Sequence, residues 1–426
     1  MSSPAAAPGS EPALSLAVTL EDVRAAYGRI RDSIAYTPAP HSAELSALTG
    51  QTVFLKLDNL QRTGAFKERG ALNKILTLRP EEKACGVIAA SAGNHAQAVA
   101  YHASAHGIRA RIVMPETTPL NKVAKTSGYG AEVILHGANY DEAFAEATRL
   151  SAEGGWTFLH PFDDAAVIAG QGSIGLELLE QVEDLEAVVV PIGGGGLISG
   201  IACALKESKP SIRVVGVQTE RLPSMLRARE NGGPVTLPAA ATVADGIAVR
   251  RAGALTYPLV ARYVDEIVTV DEEEIAQAIL VLLESEKTLA EGAGAVALAA
   301  LLQGRTSLSR PPSLIEQPVR TAVLVCGGNI DVSLLAMMIE RGLVKDGRRT
   351  RLRIHLIDRP GALNGMTRIL AEARANIVET SYDRAYYGVN LGYTAIDVTL
   401  ETRGAAHIAE LRAALVEAGY QHERIN

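Results

Sequence analysis

Lys67 lies in the stretch Thr63-Gly64-Ala65-Phe66-Lys67-Glu68-Arg69-Gly70-Ala71. The apolar run from Val53 to Asp58 reads as a strand before it, and a helical pattern from Ala71 to Leu78 follows. The lysine therefore stands where a loop becomes a helix. A cation at a helix N-terminus opposes the helix dipole by roughly a few tenths of a kcal/mol, so packing gives little reason for it. The same positive potential favours a neutral, nucleophilic amine, which suits attack on a carbonyl. A lone lysine can equally be a solvated surface cation. The rest of the chain separates the two readings.

Four consecutive glycines, Gly193, Gly194, Gly195 and Gly196, follow the apolar run Glu186 to Val190, and a helix begins near Leu197. Backbone N–H groups exposed beside a positive helix end can cradle a phosphate. As a mere turn, four glycines are costly in backbone entropy. No Lys-Ser or Lys-Thr follows, which excludes a nucleoside-triphosphate loop. Ile198 and Ser199 occupy the third positions that a dinucleotide fingerprint needs, so that spacing fails. Asn94, in Ser91-Ala92-Gly93-Asn94-His95, ends the apolar run Gly86 to Ala90. Its amide can donate into a crevice or cap a turn, and His95 reads by itself as a helix-start residue. Cys326, in Cys326-Gly327-Gly328-Asn329, ends the run Thr321 to Val325 and is either a site residue or an ordinary buried thiol. A phosphate cradle, an amine poised to condense with a carbonyl and polar groups at strand ends together point to pyridoxal phosphate.

These residues need a scaffold that brings strand ends together. Thr19-Leu20-Glu21-Asp22 resembles a capping box for a helix to about Ile30. Strands then alternate with helices: strands at 86–90, 110–114 and 131–135, helices from Ala96, over Pro119–Thr126 and over Tyr140–Ala152. A second set follows, with helices over Gln171–Val182, Asp271–Glu286 and Ala293–Leu302 and strands at 186–190, 212–218 and 321–325. This rhythm predicts an α/β fold of open parallel sheets, with ligands at the carboxyl ends of the strands. After Arg341 the pattern changes. A charged linker at 343–350 is expected, then strands at 351–357, 377–385 and 392–400 and helices at 361–373 and 405–418. A last short strand at 421–425 completes a small βαββαβ domain over residues 351–426.

Composition fits a soluble globular chain of two or three domains: 426 residues, 47% hydrophobic and 21% charged. The net charge of −7, with no basic block, argues against a nucleic-acid partner. Cys85, Cys203 and Cys326 are too scattered for a disulfide framework or a zinc cluster, which suits a reducing, cytoplasmic setting. Residues 1–18 begin with an Ala/Pro/Ser-rich segment that reads as a disordered tail rather than a secretory signal. No apolar run is long enough to span a bilayer.

With these motifs in place, the chain resembles the fold-type II pyridoxal-phosphate enzymes, in the manner of the tryptophan synthase β-chain. Gly64 to Ala71 is similar to their cofactor-lysine motif, and Ser91 to Gln97 to their asparagine loop. Gly193 to Leu197 is similar to their phosphate loop, and Cys326 to Asn329 to the loop facing the pyridine nitrogen. Among them the threonine dehydratases are most alike, through Ala244-Asp245-Gly246-Ile247-Ala248 and Glu291-Gly292-Ala293-Gly294-Ala295. The end of the chain, with Asp358-Arg359-Pro360-Gly361-Ala362-Leu363, resembles the ACT amino-acid-sensing domain.

The resemblance implies a catalytic domain over 19–342 with a smaller lobe, about 57–160, inserted in a larger one. It implies that Lys67 carries the cofactor and moves the Cα proton, that Asn94 bonds the ring oxygen, and that Gly193, Gly194, Gly195, Gly196 and Leu197 hold the phosphate. Cys326 then faces the ring nitrogen, and Ser91, Ala92, Gly93, Asn94 and His95 receive the substrate carboxylate. The implied reaction converts L-threonine to 2-oxobutyrate and ammonia. Serine dehydration or racemisation is the nearest alternative, and a non-catalytic amino-acid sensor is another. Racemases of the family carry a second serine where this chain has Ala92, which weighs against racemisation. Gln218 replaces a glutamate of metal-binding relatives, so no tight divalent site is expected. Asp358, Pro360 and Gly361 are the expected regulatory residues for a branched-chain amino acid, in a homodimer or homotetramer.

Overall fold

The computed structural model describes residues 16–308, 317–383 and 390–425. The expected N-terminal tail lies outside the described residues as far as residue 15, and so do the last two positions of the expected strand 377–385. Thr19 caps the first helix, Leu20–Ile30, and exchanges hydrogen bonds with Asp22 in both halves of a capping box.

The chain divides into two compact units, up to Ile330 and from Asp331. The first contains two sheets. The larger is built from β1 (His41–Ser42), β2 (Thr52–Leu57), β7 (Ala187–Pro191), β8 (Arg213–Thr219), β9 (Glu266–Val270) and β10 (Arg320–Val325), in the order β1-β2-β10-β7-β8-β9. Only β1 runs antiparallel to its neighbour. The smaller consists of β3 (Val87–Ala90), β4 (Ala110–Met114), β5 (Glu132–Leu135) and β6 (Thr157–Phe158), all parallel, in the order β5-β4-β3-β6. The chain thus leaves the large sheet after β2, builds the small one, and returns at β7. Strands β3 and β7 are buried along their whole length, as sheets covered on both faces require.

The pairing of β2 with β10 sets the site. Leu57 lies beside Val325 at their carboxyl ends, so the segments that emerge there run side by side. Phe66 N donates to Cys326 O at 3.0 Å and Gly328 N to Gly64 O at 2.9 Å, with Ala65 bridged to Gly327. Gly64 makes this approach in the left-handed region, at φ +81°, with the Asn329 side chain where a Cβ would stand.

The second unit contains β11 (Arg349–Ile357), β12 (Asn376–Asp383), β13 (Tyr393–Glu401) and β14 (His422–Arg424), with helices Ala362–Glu372 and Ala405–Glu417. The antiparallel order β12-β13-β11-β14 is the ferredoxin-like arrangement. Leu352, Ile354, Met366, Leu370, Val398, Leu400, Leu411 and Leu415 fill its core.

Two features depart from the sequence reading. The charged stretch 343–350 is not a free linker. Its first residues finish the helix Val332–Lys345, and Arg349 and Thr350 already pair in β11. Its charges are used locally, since Arg349 bonds the Glu340 carboxylate and forms a longer ion pair with Glu401 at 3.9 Å. That helix groups with the second unit, so the division falls near residue 330 rather than 342. The helices Ala43–Thr49, Pro80–Cys85, Ser224–Asn231 and Thr256–Tyr263 and the strand β9 are additions that the periodicity did not reveal.

Candidate active site

Lys67 is the first residue of the helix Lys67–Thr77. Its ammonium donates to Pro161 O at 2.7 Å and stands 5.1 Å from the Phe66 ring centroid. Burial pulls its pKa down from 10.5 to about 8, against the smaller opposing pull of Cys326 and Glu291. The lowered value expected from the helix terminus is present, but burial is its cause. Two residues on, Arg69 is fully buried and anchors the same turn. It forms bonds to both oxygens of Asp58 (2.7 and 2.9 Å) and of Glu177 (2.6 and 2.9 Å). Lys56 completes this cluster through Glu177 Oε2 at 2.6 Å.

The glycine loop leaves β7 and opens the helix Gly196–Ser208. Gly194, Gly195 and Gly196 are required by close packing rather than by flexibility. A Cβ on Gly194 would enter the Phe162 ring, and one on Gly196 would meet Phe162 O at 2.7 Å. Gly195 adopts φ +100° with Met225 Cε 2.5 Å from its would-be Cβ. Gly194 O accepts from Thr256 Oγ1 at 2.6 Å, which fixes the loop from behind. Asp163 supports the same wall by accepting from the N–H groups of Ala254, Leu255 and Thr256. The first N–H groups of a helix have no carbonyl partner of their own, so this rigid bend presents them to an anion.

Asn94 begins the helix Asn94–Ala105 after β3. Its Nδ2 donates to Glu291 Oε1 at 2.6 Å, and its Oδ1 accepts from Asn329 Nδ2 at 2.8 Å. Gly93 N donates to Ser91 Oγ at 3.2 Å. His95 donates from Nε2 to Leu159 O at 2.9 Å, and burial followed by Lys67 lowers its pKa to about 3, so its ring stays neutral. Cys326 is buried, with Sγ 3.5 Å from Ala293 O, and burial pushes its thiol well above the ordinary value. It is an uncharged group.

Glu291, which the sequence marks only as the first residue of the Glu291–Ala295 motif, is a further participant in the site. It is 5% exposed, and burial and then Asp245 push its carboxyl up to about 7. An acid at the head of the apolar run Gly292–Leu302 was the available signal. Asn329, the last residue of the Cys326–Asn329 motif, takes part as well, and its Nδ2 also donates to Thr63 O at 2.7 Å. Asp358, Pro360 and Gly361 lie in the second unit, in the turn from β11 into the helix Ala362–Glu372, with Gly361 at φ +87°. Gln218 is spent structurally: its Oε1 accepts from Met225 N and Leu226 N at 3.0 and 2.9 Å, capping the helix Ser224–Asn231.

An open α/β crevice containing a depressed lysine amine, a glycine-lined anion cradle and a neutral thiol defines a pyridoxal-phosphate site. Buried polar atoms left without a partner beside it, Thr63 Oγ1 and His95 Nδ1, fit a missing polar ligand. The chain belongs to the family of pyridoxal-phosphate dependent enzymes, whose model matches residues 30–327. It is 46% identical to the L-threonine ammonia-lyase of Thermotoga maritima over 404 residues, 95% of this chain and 98% of that one. Among solved structures it is similar to the processed threonine deaminase isoform 2 of Solanum lycopersicum (TM-score 0.70, 35% identity, 75% and 86% of the two chains). Maize serine racemase is similar as well (TM-score 0.71, 36% identity, 77% and 99%).

Proposed function

We propose that this protein is a threonine ammonia-lyase, eliminating water from L-threonine to give an enamine that takes up water again and falls to 2-oxobutyrate and ammonia. The observation that carries the reading is the depressed Lys67 amine, set at one strand end beside the neutral Cys326, within the family motifs and alongside a full-length likeness to a threonine ammonia-lyase. Pyridoxal phosphate, once bound, supplies the electron withdrawal that acidifies the substrate's Cα–H.

Lys67 holds the cofactor through its amine and then takes the Cα proton; a value near 8 keeps a working fraction of the amine unprotonated at neutral pH. Gly193 to Leu197 bind the phosphate through backbone N–H groups. Asn94 orients the ring through its amide. The N–H groups of the Ser91–His95 loop receive the substrate carboxylate. Cys326 would present an uncharged thiol to the cofactor ring, an environment that suits loss of the β-hydroxyl together with the Cα proton. Ala92 offers no acid on the opposite face, so serine is expected to yield pyruvate slowly rather than D-serine. Keto-acid assays with chiral analysis test this: 2-oxobutyrate from threonine is expected, and efficient serine racemisation without keto acid contradicts it.

The second unit extends the proposal. We read it as an ACT-like regulatory domain that binds isoleucine or valine near Asp358, Pro360 and Gly361, in a protein that is at least a dimer. Gly361 leaves open space where a side chain would stand, so backbone can approach a ligand. Calorimetry on the full chain should detect isoleucine or valine, more weakly in Asp358→Ala. If neither amino acid binds, the regulatory reading fails and the catalytic one stands.

A further inference from the structure

Lys125 lies on the helix Leu120–Gly128, which follows β4 of the small sheet. Its stem is exposed, but its ammonium reaches Asn329 Oδ1 at 2.7 Å, on the loop after β10 of the large sheet. One turn earlier, Lys122 reaches Asp245 Oδ2 at 3.1 Å, again across to the large sheet's loops. A single helix therefore ties the small lobe to the crevice rim at two points.

The bond from Lys125 continues inwards. Asn329 Nδ2 donates to Asn94 Oδ1 at 2.8 Å and to Thr63 O at 2.7 Å, and Asn94 Nδ2 donates to Glu291 Oε1 at 2.6 Å. An ammonium can only donate, and a backbone carbonyl can only accept. Asn329 is held between these two, so its oxygen must face Lys125 and its nitrogen must face inwards. Asn94 must then turn its oxygen to Asn329, and its NH₂ group faces Glu291. One N–H of that group goes to Glu291 and the second remains for the cofactor ring.

We propose that Lys125 is a positioning residue for the elimination reaction: its ammonium fixes the direction of the Asn329–Asn94–Glu291 hydrogen-bond chain and so presents an N–H of Asn94 to the cofactor ring. The inference rests on the proposed cofactor site. A bond from a charged donor is worth about one order of magnitude in an equilibrium constant when it acts through a single neighbour. The lysine is on the rim rather than in the core, so its replacement leaves the packing intact.

The test uses the full-length holoenzyme and three variants, Lys125→Arg, Lys125→Met and Lys125→Glu. Cofactor affinity is measured by equilibrium dialysis, and the visible absorbance of the bound cofactor is recorded beside kcat and KM for threonine. Arginine, another pure donor, should keep affinity and spectrum within about twofold. Methionine should weaken cofactor binding roughly tenfold and lower kcat more than it raises KM. Glutamate, which faces Asn329 Oδ1 with an acceptor, should be worse than methionine and shift the absorbance band. In an Asn329→Ala background the methionine change should cost nothing further, because the route to Asn94 is already cut. Wild-type affinity and spectrum in both Lys125→Met and Lys125→Glu would overturn the proposal. An undiminished effect of Lys125→Met in the Asn329→Ala background would do the same. If the wild-type chain itself binds no pyridoxal phosphate, the failure belongs to the proposed function instead.

Discussion

Two clusters of buried charge stand at opposite ends of the same short segment and are treated in opposite ways. Around Arg69, two cations (Arg69 and Lys56) meet two carboxylates (Asp58 and Glu177), all fully buried, at 2.6 to 2.9 Å. Burial raises the Asp58 carboxyl, but Arg69, Lys56 and Thr37 together outweigh it and the net shift is downwards. Around Lys67 the compensation is incomplete. The ammonium has a carbonyl for a partner, the nearest thiol is neutral, and Glu291 is pushed towards its protonated form. Matched charges anchor the helix; poorly matched ones leave groups whose protonation changes near neutrality, which proton transfer requires.

The largest effect should come from the unmatched cluster. Lys67→Ala removes the cofactor attachment and the proton carrier together, and kcat should fall by roughly a thousandfold or more. Retention of even a tenth of wild-type turnover in a keto-acid assay would remove Lys67 from the chemistry. The fold should be indifferent, with thermal unfolding of the cofactor-free protein unchanged or slightly strengthened, since a buried cation is lost.

Arg69→Met should do the reverse. It leaves Asp58 and Glu177 with only Lys56 to balance them, a loss of about 3–5 kcal/mol of stability in the cofactor-free protein. Denaturant melts read this directly. A variant as stable as wild type would mean that the cluster is not the anchor described here.

The cradle separates shape from charge. Gly194→Ala places a methyl group in the Phe162 ring. Cofactor affinity should drop by about tenfold or more, a cost on the order of 1–3 kcal/mol for overpacking. Gly193→Ala meets Ile247 Cα at a more tolerable 3.1 Å and should lose less. Equal losses would show that loop flexibility, not close approach, matters.

The unmatched cluster also leaves a pH signature. Glu291 keeps its proton up to about pH 7 in the folded chain, against 4.5 for a free carboxyl. Between those values the folded state binds more protons than the unfolded one, so stability falls as pH rises through that window. The drop is about 3 kcal/mol. Thermal melts of the cofactor-free protein should show it, and Glu291→Gln should flatten the difference. An identical slope in the variant would place the titration elsewhere.

Much of this was legible in the chain itself. Capping at Thr19, the alternation of apolar runs and helical patterns, and the four glycines after β7 are local signals, each readable within a few residues. So is the ferredoxin-like order of elements after residue 350, because period-2 and period-3.6 patterns need no partner to be seen. The charged stretch 343–350 misled because charge density marks solvent exposure only where no partner is near, and here Glu340 and Glu401 are.

The tertiary structure alone decided which groups share an environment. Glu291 lies 197 residues from Asn94, and Asn329 lies 235 residues from it, yet the three form one chain of hydrogen bonds. The pairing of β2 with β10, which no periodicity announces, brings Lys67 to Cys326. Residue types and local order follow from short-range sterics and hydrogen bonding. Protonation states follow from burial and from neighbours remote in sequence, and those exist only once the sheets have closed around them.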